Sequence, residues 1–425
     1  MRRIKFIFIT LIGLSLSFGQ GYLNGFGFGH YYHNQGISSA GNGINRLIPS
    51  FQEDVSLLNP ATWHNLKYTH LSVAYSGDEN SIKNPALFNG YSGISNAIWI
   101  VPIKSKASFG LSIAPYSDQR LTLTDPDTTT FYAYDDTLSI FRTFNQNGGI
   151  LVLKVGSSYA LRDRFSIGGS LDMLFGSSRK NESIFFSGSS IIQSSRNRYT
   201  GLIGNAFFSF KIQENMSIYG GIKQTLQPMA VFLTNRYLFD DANLNGYHDF
   251  TFPYDFPIPD SVDAHNEIRL EQVHEPKGYS FGLKATITRN NSIAFEYISS
   301  LDEGEIPSKI TLGFNDWIHS SKHASLSFIK FPNDLSVNWI DNFVFRAGLA
   351  YKTHQLAQSE ITIREFGSAL GLGFKFKAVG NQIDFNYYIG NREYSNTFQT
   401  ELVQQIQVSV SLADLWFVKR RQKTQ

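Results

Sequence analysis

The sequence predicts an all-β chain, a transmembrane antiparallel barrel rather than a soluble sheet. Three observations point there: period-two hydrophobicity over most of the length, an export leader, and no second apolar run of spanning length. The stretch SIGGSLDMLF, residues 166–175, shows the pattern. Phe165, Ile167, Gly169, Leu171, Met173 and Phe175 share one parity, and Ser166, Gly168, Ser170 and Asp172 the other. In a barrel, Leu171 would meet lipid and Asp172 a wet lumen. A β-sandwich or propeller also alternates, but in shorter strands and without so many glycines and charges on one face. Closure satisfies every backbone amide and carbonyl between neighbouring strands, which is what a bilayer demands.

Taken in order, the chain opens with Arg2, Arg3 and Lys5, an apolar stretch from Phe6 to Phe18, and the small residues Ser17 and Gly19. These make 1–19 a secretory signal, too short to anchor as a helix that needs about 20 apolar residues. Residues 20–66 are glycine-rich and alternate poorly. Alternation starts near 67 and runs to 417. Its clearest members are 279–287, 292–297, 343–352, 370–377, 382–389 and 407–412. Weaker ones are 67–76, 94–103, 106–115, 138–146, 149–160, 164–175, 182–190, 197–212, 215–223, 308–314 and 323–330. Turn residues such as RD at 162–163, QEN at 213–215 and RNN at 289–291 separate several of them. The sum is about 14 to 16 strands. Residues 115–138 and 239–276 read as long loops, expected on the extracellular side. Trp416 and Phe417 precede a basic tail, 418–425, expected in the periplasm.

Composition narrows the function. A net charge of +2 over 425 residues carries no basic stripe, so no nucleic-acid partner is expected. The absence of cysteine fits an envelope protein without requiring one. No GxSxG or HExxH occurs, and nothing selects His64 or His70 with nearby serines as catalytic, so the chain is read as no enzyme. GFGFG at 25–29 precedes no helical pattern and fails as a dinucleotide loop. His30 and His33 have no evident third metal ligand.

The glycine-rich leader, the SAGNG stretch at 39–43 and the motif Asn59-Pro60-Ala61 just before the first strand resemble the start of FadL-type outer-membrane transporters and of their PorV-like relatives. The resemblance implies a barrel of about 14 strands in the bacterial outer membrane, with 20–66 folded inward as a plug, or hatch. It implies passive passage of hydrophobic small molecules such as long-chain fatty acids, with outer-membrane lipid as surroundings. The PorV side implies instead a shuttle that engages secretion-system proteins. Physically, Pro60 lacks a donor and Asn59 can cap a turn, a corner suited to lead the chain from lumen to wall. Lys154, Asp172, Lys284, Glu296, Arg346 and Lys375 fall on the luminal parity, where the cations are candidates to hold a carboxylate head group. In DDANLNGYHD, residues Asp241, Asn243, Asn245, Tyr247 and Asp249 alternate around Gly246, the spacing of a calcium loop that lacks the distal bidentate glutamate. No cofactor is required by the sequence; calcium in the loop at 241–249 is the one candidate, against a plain Asn/Gly-rich turn.

Overall fold

A computed structural model describes residues 22–32, 46–82, 87–103, 106–124, 129–133, 136–186, 189–259, 267–288, 290–307, 310, 316–333, 339–359, 361–377, 381–395 and 400–414. The signal region 1–19, His33, the SAGNG stretch and the end of the chain from 415 lie outside the described residues.

Fourteen strands form the wall of one closed antiparallel sheet. They are β1 (Thr69–Ile82), β2 (Leu87–Ile103), β3 (Ala107–Asp118), β4 (Asp136–Arg162), β5 (Phe165–Phe186), β6 (Ser189–Gln213) and β7 (Met216–Asp240). The circuit continues through β8 (Pro276–Thr288), β9 (Asn291–Asp302), β10 (Ile318–Lys330), β11 (Phe343–Leu356), β12 (Thr362–Lys377), β13 (Asn381–Tyr394) and β14 (Thr400–Asp414). Each pairs with its neighbours in sequence, and β14 returns to β1 with Asp414 opposite Thr69, which leaves no open edge around the ring.

The parity reading holds at the positions it named on β5, β8, β9, β11, β12 and β14. Leu171 and Met173 are 43% exposed while Asp172 between them is 7% exposed. Phe281, Phe295, Phe345, Leu370 and Val410 face outward, and Lys284, Glu296, Arg346 and Asp384 are buried inside. The sheet therefore wears its oil outside and its charge inside, the reverse of a soluble protein.

Strand length is where the structure departs from the sequence reading. β4 to β7 run 27, 22, 25 and 25 residues, against 12 to 17 for the other wall strands. A tilted strand crosses hydrocarbon in about 9–11 residues. The excess of β4–β7 rises beyond one end of the ring as a tall curved sheet, flanked by Leu121–Thr124 and Thr129–Ala133 beside β4 and by Ile268–His274 beside β7. Residues 138–146 and 149–160, expected as two strands, are one continuous β4. The segment expected as a strand at 182–190 is the hairpin end between β5 and β6. The loop expected at 115–138 is mostly paired strand. Of the expected strand 308–314 only Ile310 is described, in a turn.

Candidate functional site: the occupied lumen

The described residues 46–66, which precede β1, are bonded to the inner face of the ring. The corner before β1 is built as its residues require. Asn59 caps a short 3-10 helix, Pro60–Asn65, its Oδ1 accepting from the Ala61 amide at 3.0 Å. Its amide nitrogen donates to the Leu47 carbonyl at 2.9 Å, so one side chain ties two turns together. Pro60 stands at the first helical position, where its missing donor costs nothing.

Glycines on the inner face make room for that helix. A Cβ at Gly168 would stand 2.4 Å from the Ala61 nitrogen, and one at Gly156 or Gly110 2.8 Å from the Trp63 ring. Ser166 on β5 donates to the Ala61 carbonyl at 2.7 Å. The motif Asn59-Pro60-Ala61 is thus bonded to the wall from within.

The luminal charges meet the same segment. Glu296 accepts the Arg46 and Leu47 amides at 2.8 and 3.0 Å. Arg346 donates to the Ser50 carbonyl at 2.9 Å and pairs with Asp384 at 2.6 Å. Lys284 donates to the Glu53 carbonyl. These groups come from β9, β11 and β8, while the helix sits on β3, β4 and β5, so the segment crosses the lumen. Lys284 and Arg346, proposed from sequence as head-group ligands, are luminal as expected but already bonded to chain carbonyls. Lys154 pairs with Asp172 at 3.6 Å. Lys375 lines a polar cavity of about 460 Å³ at the short-turn end, with Glu53, Asp54, Lys67 and His70. His70 packs its ring on Phe51, and His64 turns to the Ala61 carbonyl.

Residues 22–32 pack on the inner face toward the other end of the ring. His30 and Tyr31 pair with Asp118 and Ser117 at the end of β3, and Leu23 and Phe26 pack on Ile318, Leu356, Ile363 and Tyr394. Next to them lies a buried ionic network in which Glu365 holds Lys352 at 2.5 Å and Arg392 at 2.7 Å, and Arg392 holds Glu401 at 2.8 Å.

Between the two fillings is a cavity of about 120 Å³. Tyr31, Tyr116, Val152, Phe207 and Leu47 give it apolar walls, and Arg46, Lys154, Asp172, Lys223, His274 and Asp302 its polar ones. Asp302 holds His274 at 2.5 Å, and the other ring nitrogen of His274 meets the Tyr116 hydroxyl at 2.7 Å. Among the described residues Lys154 and Lys223 are the only lysines on it, and the Lys223 side chain has no hydrogen-bond or ion-pair partner. The cavity reaches the barrel's outer face. Its lining includes Ile222 and Tyr279, which are 64% and 58% exposed on the outward parity. There the pairing of β7 with β8 stops at Lys223–Gly278, and β7 is next paired on that side at Met229–His274. Sequence reading missed Lys223, Tyr116, His274 and Asp302, because they converge from strands far apart and share no local motif.

The loop 241–249 folds around its own carboxylates. Asp241 accepts the Asn245 and Gly246 amides at 3.2 and 2.9 Å, and Asn245 donates to Asp249 at 3.0 Å. Burial pushes the Asp241 carboxyl up, against those two amides. Tyr247 points away, 57% exposed. Among the described residues no three His, Cys, Asp or Glu side chains form a metal-holding group, so the calcium expectation rests on the Asn and Asp spacing alone.

With the geometry in hand, comparisons with known proteins place the fold. The family model described as BamG matches residues 17–423. A FadL homologue from Pseudomonas aeruginosa superposes with a TM-score of 0.57 at 13% identity, covering 91% of this chain and 99% of that one. The toluene transporter TbuX of Ralstonia pickettii gives 0.53 at 12%, covering 92% and 99%. The monoaromatic hydrocarbon channel CymD gives 0.53 at 12%, covering 94% and 99%. At these identities the likeness is one of fold, a FadL-type barrel. No curated protein matches the sequence.

Proposed function

Since the chain belongs to the BamG family and has a FadL-type barrel, we propose that it is a bacterial outer-membrane protein that passes hydrophobic small molecules through its luminal cavity. The observation that carries this reading is the cavity's opening at the β7–β8 break, where inner and outer faces of the wall share one space. Around that break the outward side chains are Ile222, Leu226 and Tyr279, so an apolar molecule would cross without leaving apolar surroundings. Within this reading residues 20–66 serve as the hatch that closes the lumen.

The ligand's polar end is read from the inner side. Lys223, Lys154 and Arg46 outnumber Asp172 and Asp302, and Tyr116 is oriented by the His274–Asp302 pair. An amphipathic molecule with a carboxylate head, such as a long-chain fatty acid, fits that balance, its tail lying through the wall. Binding of labelled palmitate and of its methyl ester to the protein in lipid nanodiscs tests the proposal. Lys223→Met is expected to weaken palmitate about tenfold, the scale of one lost charge-assisted contact, and to leave the ester unchanged. Equal effects on both ligands, or none on either, would contradict it.

A further inference from the structure

The loop 241–258, at the tip of the tall sheet, is held together by its own polar groups while most of its large apolar side chains are exposed. Two of its carboxylates, Asp241 and Asp255, are buried, and its polar groups are bonded largely to one another. Asp255 accepts the Ala242 and Asp249 amides at 3.2 and 2.9 Å, and Asn243 donates to the Thr251 carbonyl at 3.1 Å. His248 donates to the Pro257 carbonyl at 2.6 Å, and Asp240 and Phe256 exchange backbone bonds at 2.6 and 3.3 Å. These bonds fix the loop as a platform before anything binds, which lowers the ordering cost of association.

Its apolar groups look outward. Phe250, Phe252, Tyr254, Phe256 and Ile258 are 53%, 80%, 64%, 74% and 54% exposed. With Leu244 and Tyr247 they present roughly 800 Å² of side-chain surface, taking about 150–250 Å² for each aromatic. The largest apolar patch of an ordinary monomer is about 300–600 Å², and one side of a standard protein interface about 800 Å². Lipid does not explain the exposure, since the loop follows the far end of β7, many residues past the belt that holds Ile222. Charge argues the same way. Residues 237–259 hold four aspartates, Asp240, Asp241, Asp249 and Asp255, and no lysine or arginine, a formal charge of −4 with His neutral. Anionic head groups would be repelled by it.

We propose that this platform is the docking surface for an extracellular protein partner whose contact face is an apolar groove rimmed by lysine and arginine. Aromatic anchors enter the groove and the loop's negative field selects the basic rim, the division of labour seen at protein interfaces generally.

The test uses the full-length protein in native outer membranes, carrying a photo-crosslinking residue at position 252 or, as control, at 222. At 252 the expected adduct is one defined protein, joined through an apolar segment flanked by Lys or Arg; at 222 it is lipid. The purified partner should then bind the purified barrel at least tenfold more weakly when Phe252→Ser and Phe256→Ser are combined, with barrel unfolding unchanged. Adducts at 252 that are lipid, glycan, a second copy of this chain or a scatter of unrelated proteins would overturn the proposal. So would no adduct, or a partner indifferent to the double substitution.

Discussion

The barrel wall and the loop at 241–258 both turn apolar side chains outward, and the difference between them lies in what surrounds each. Leu171 on β5 and Phe252 in the loop are both exposed, at 43% and 80%. Around the ring, each outward residue has a counterpart on every neighbouring strand, and the charges opposite them are buried against an inner segment. That is the arrangement hydrocarbon imposes. In the loop Asp241 and Asp255 are likewise bonded inward, yet among the described residues no closed ring and no inner segment stand behind them. The same inversion of polarity thus answers a lipid in one region and, on the reading above, a protein in the other.

The first way to press the comparison is to leave an inward charge without its partner. Arg346→Met strands Asp384 in the lumen and frees the Ser50 carbonyl, and a loss of about 3–5 kcal/mol is expected. The temperature at which the barrel loses its folded mobility on gels should fall accordingly; an unchanged value would show that the lumen is wet enough to hold the carboxylate alone. Gly168→Leu acts on the same interior by volume. Its side chain must displace the Ala61 backbone, so about 1–3 kcal/mol is expected, together with protease cleavage within 46–66.

The loop should respond locally. Asp255→Ala removes the acceptor for two amides, a cost of about 1–3 kcal/mol per group left unsatisfied, read as proteolysis of 241–258 with the barrel intact. Phe252→Ser should change barrel stability by less than about 0.5 kcal/mol, because the ring touches little of its own chain. A larger loss would make the platform part of the fold rather than a surface. The smallest effect is in pH. The Thr251 amide bonded to Asp249 holds that carboxyl below its ordinary range. The turn it stabilises is therefore fully present above the ordinary aspartate value of about 3.9 and lost only as pH falls through the lowered one, which amide chemical shifts of Thr251 would report.

The sequence made the ring legible and hid the tall sheet, for one physical reason. Alternation is written only where the two faces of a strand meet different media. Across SIGGSLDMLF they do, and the parity predicted from residues is the parity found. Beyond Gly176, in Ser177, Ser178, Arg179, Lys180, Asn181 and Glu182, both faces are polar, and β5 continues with no period to betray it. Asn147 and Gly148 likewise fell between two expected strands, 138–146 and 149–160, inside what is one strand. The corner at Asn59-Pro60-Ala61 was readable because its chemistry is local. The cavity was not, since Lys223, His274 and Asp302 meet only after the ring closes, and of the luminal cations chosen by parity Lys284 and Arg346 proved to be bonded to the inner segment.

The chain has no cysteine, so one fluorophore can be placed at will on a single introduced thiol. In nanodiscs of lipid brominated along the acyl chain, a label at Leu171→Cys should be strongly quenched, and labels at Asp172→Cys and Phe252→Cys should not. An unquenched label at 171 would deny that the barrel's outer face meets hydrocarbon, and quenching at 252 as deep as at 171 would put the loop in lipid and remove the distinction on which the two readings rest.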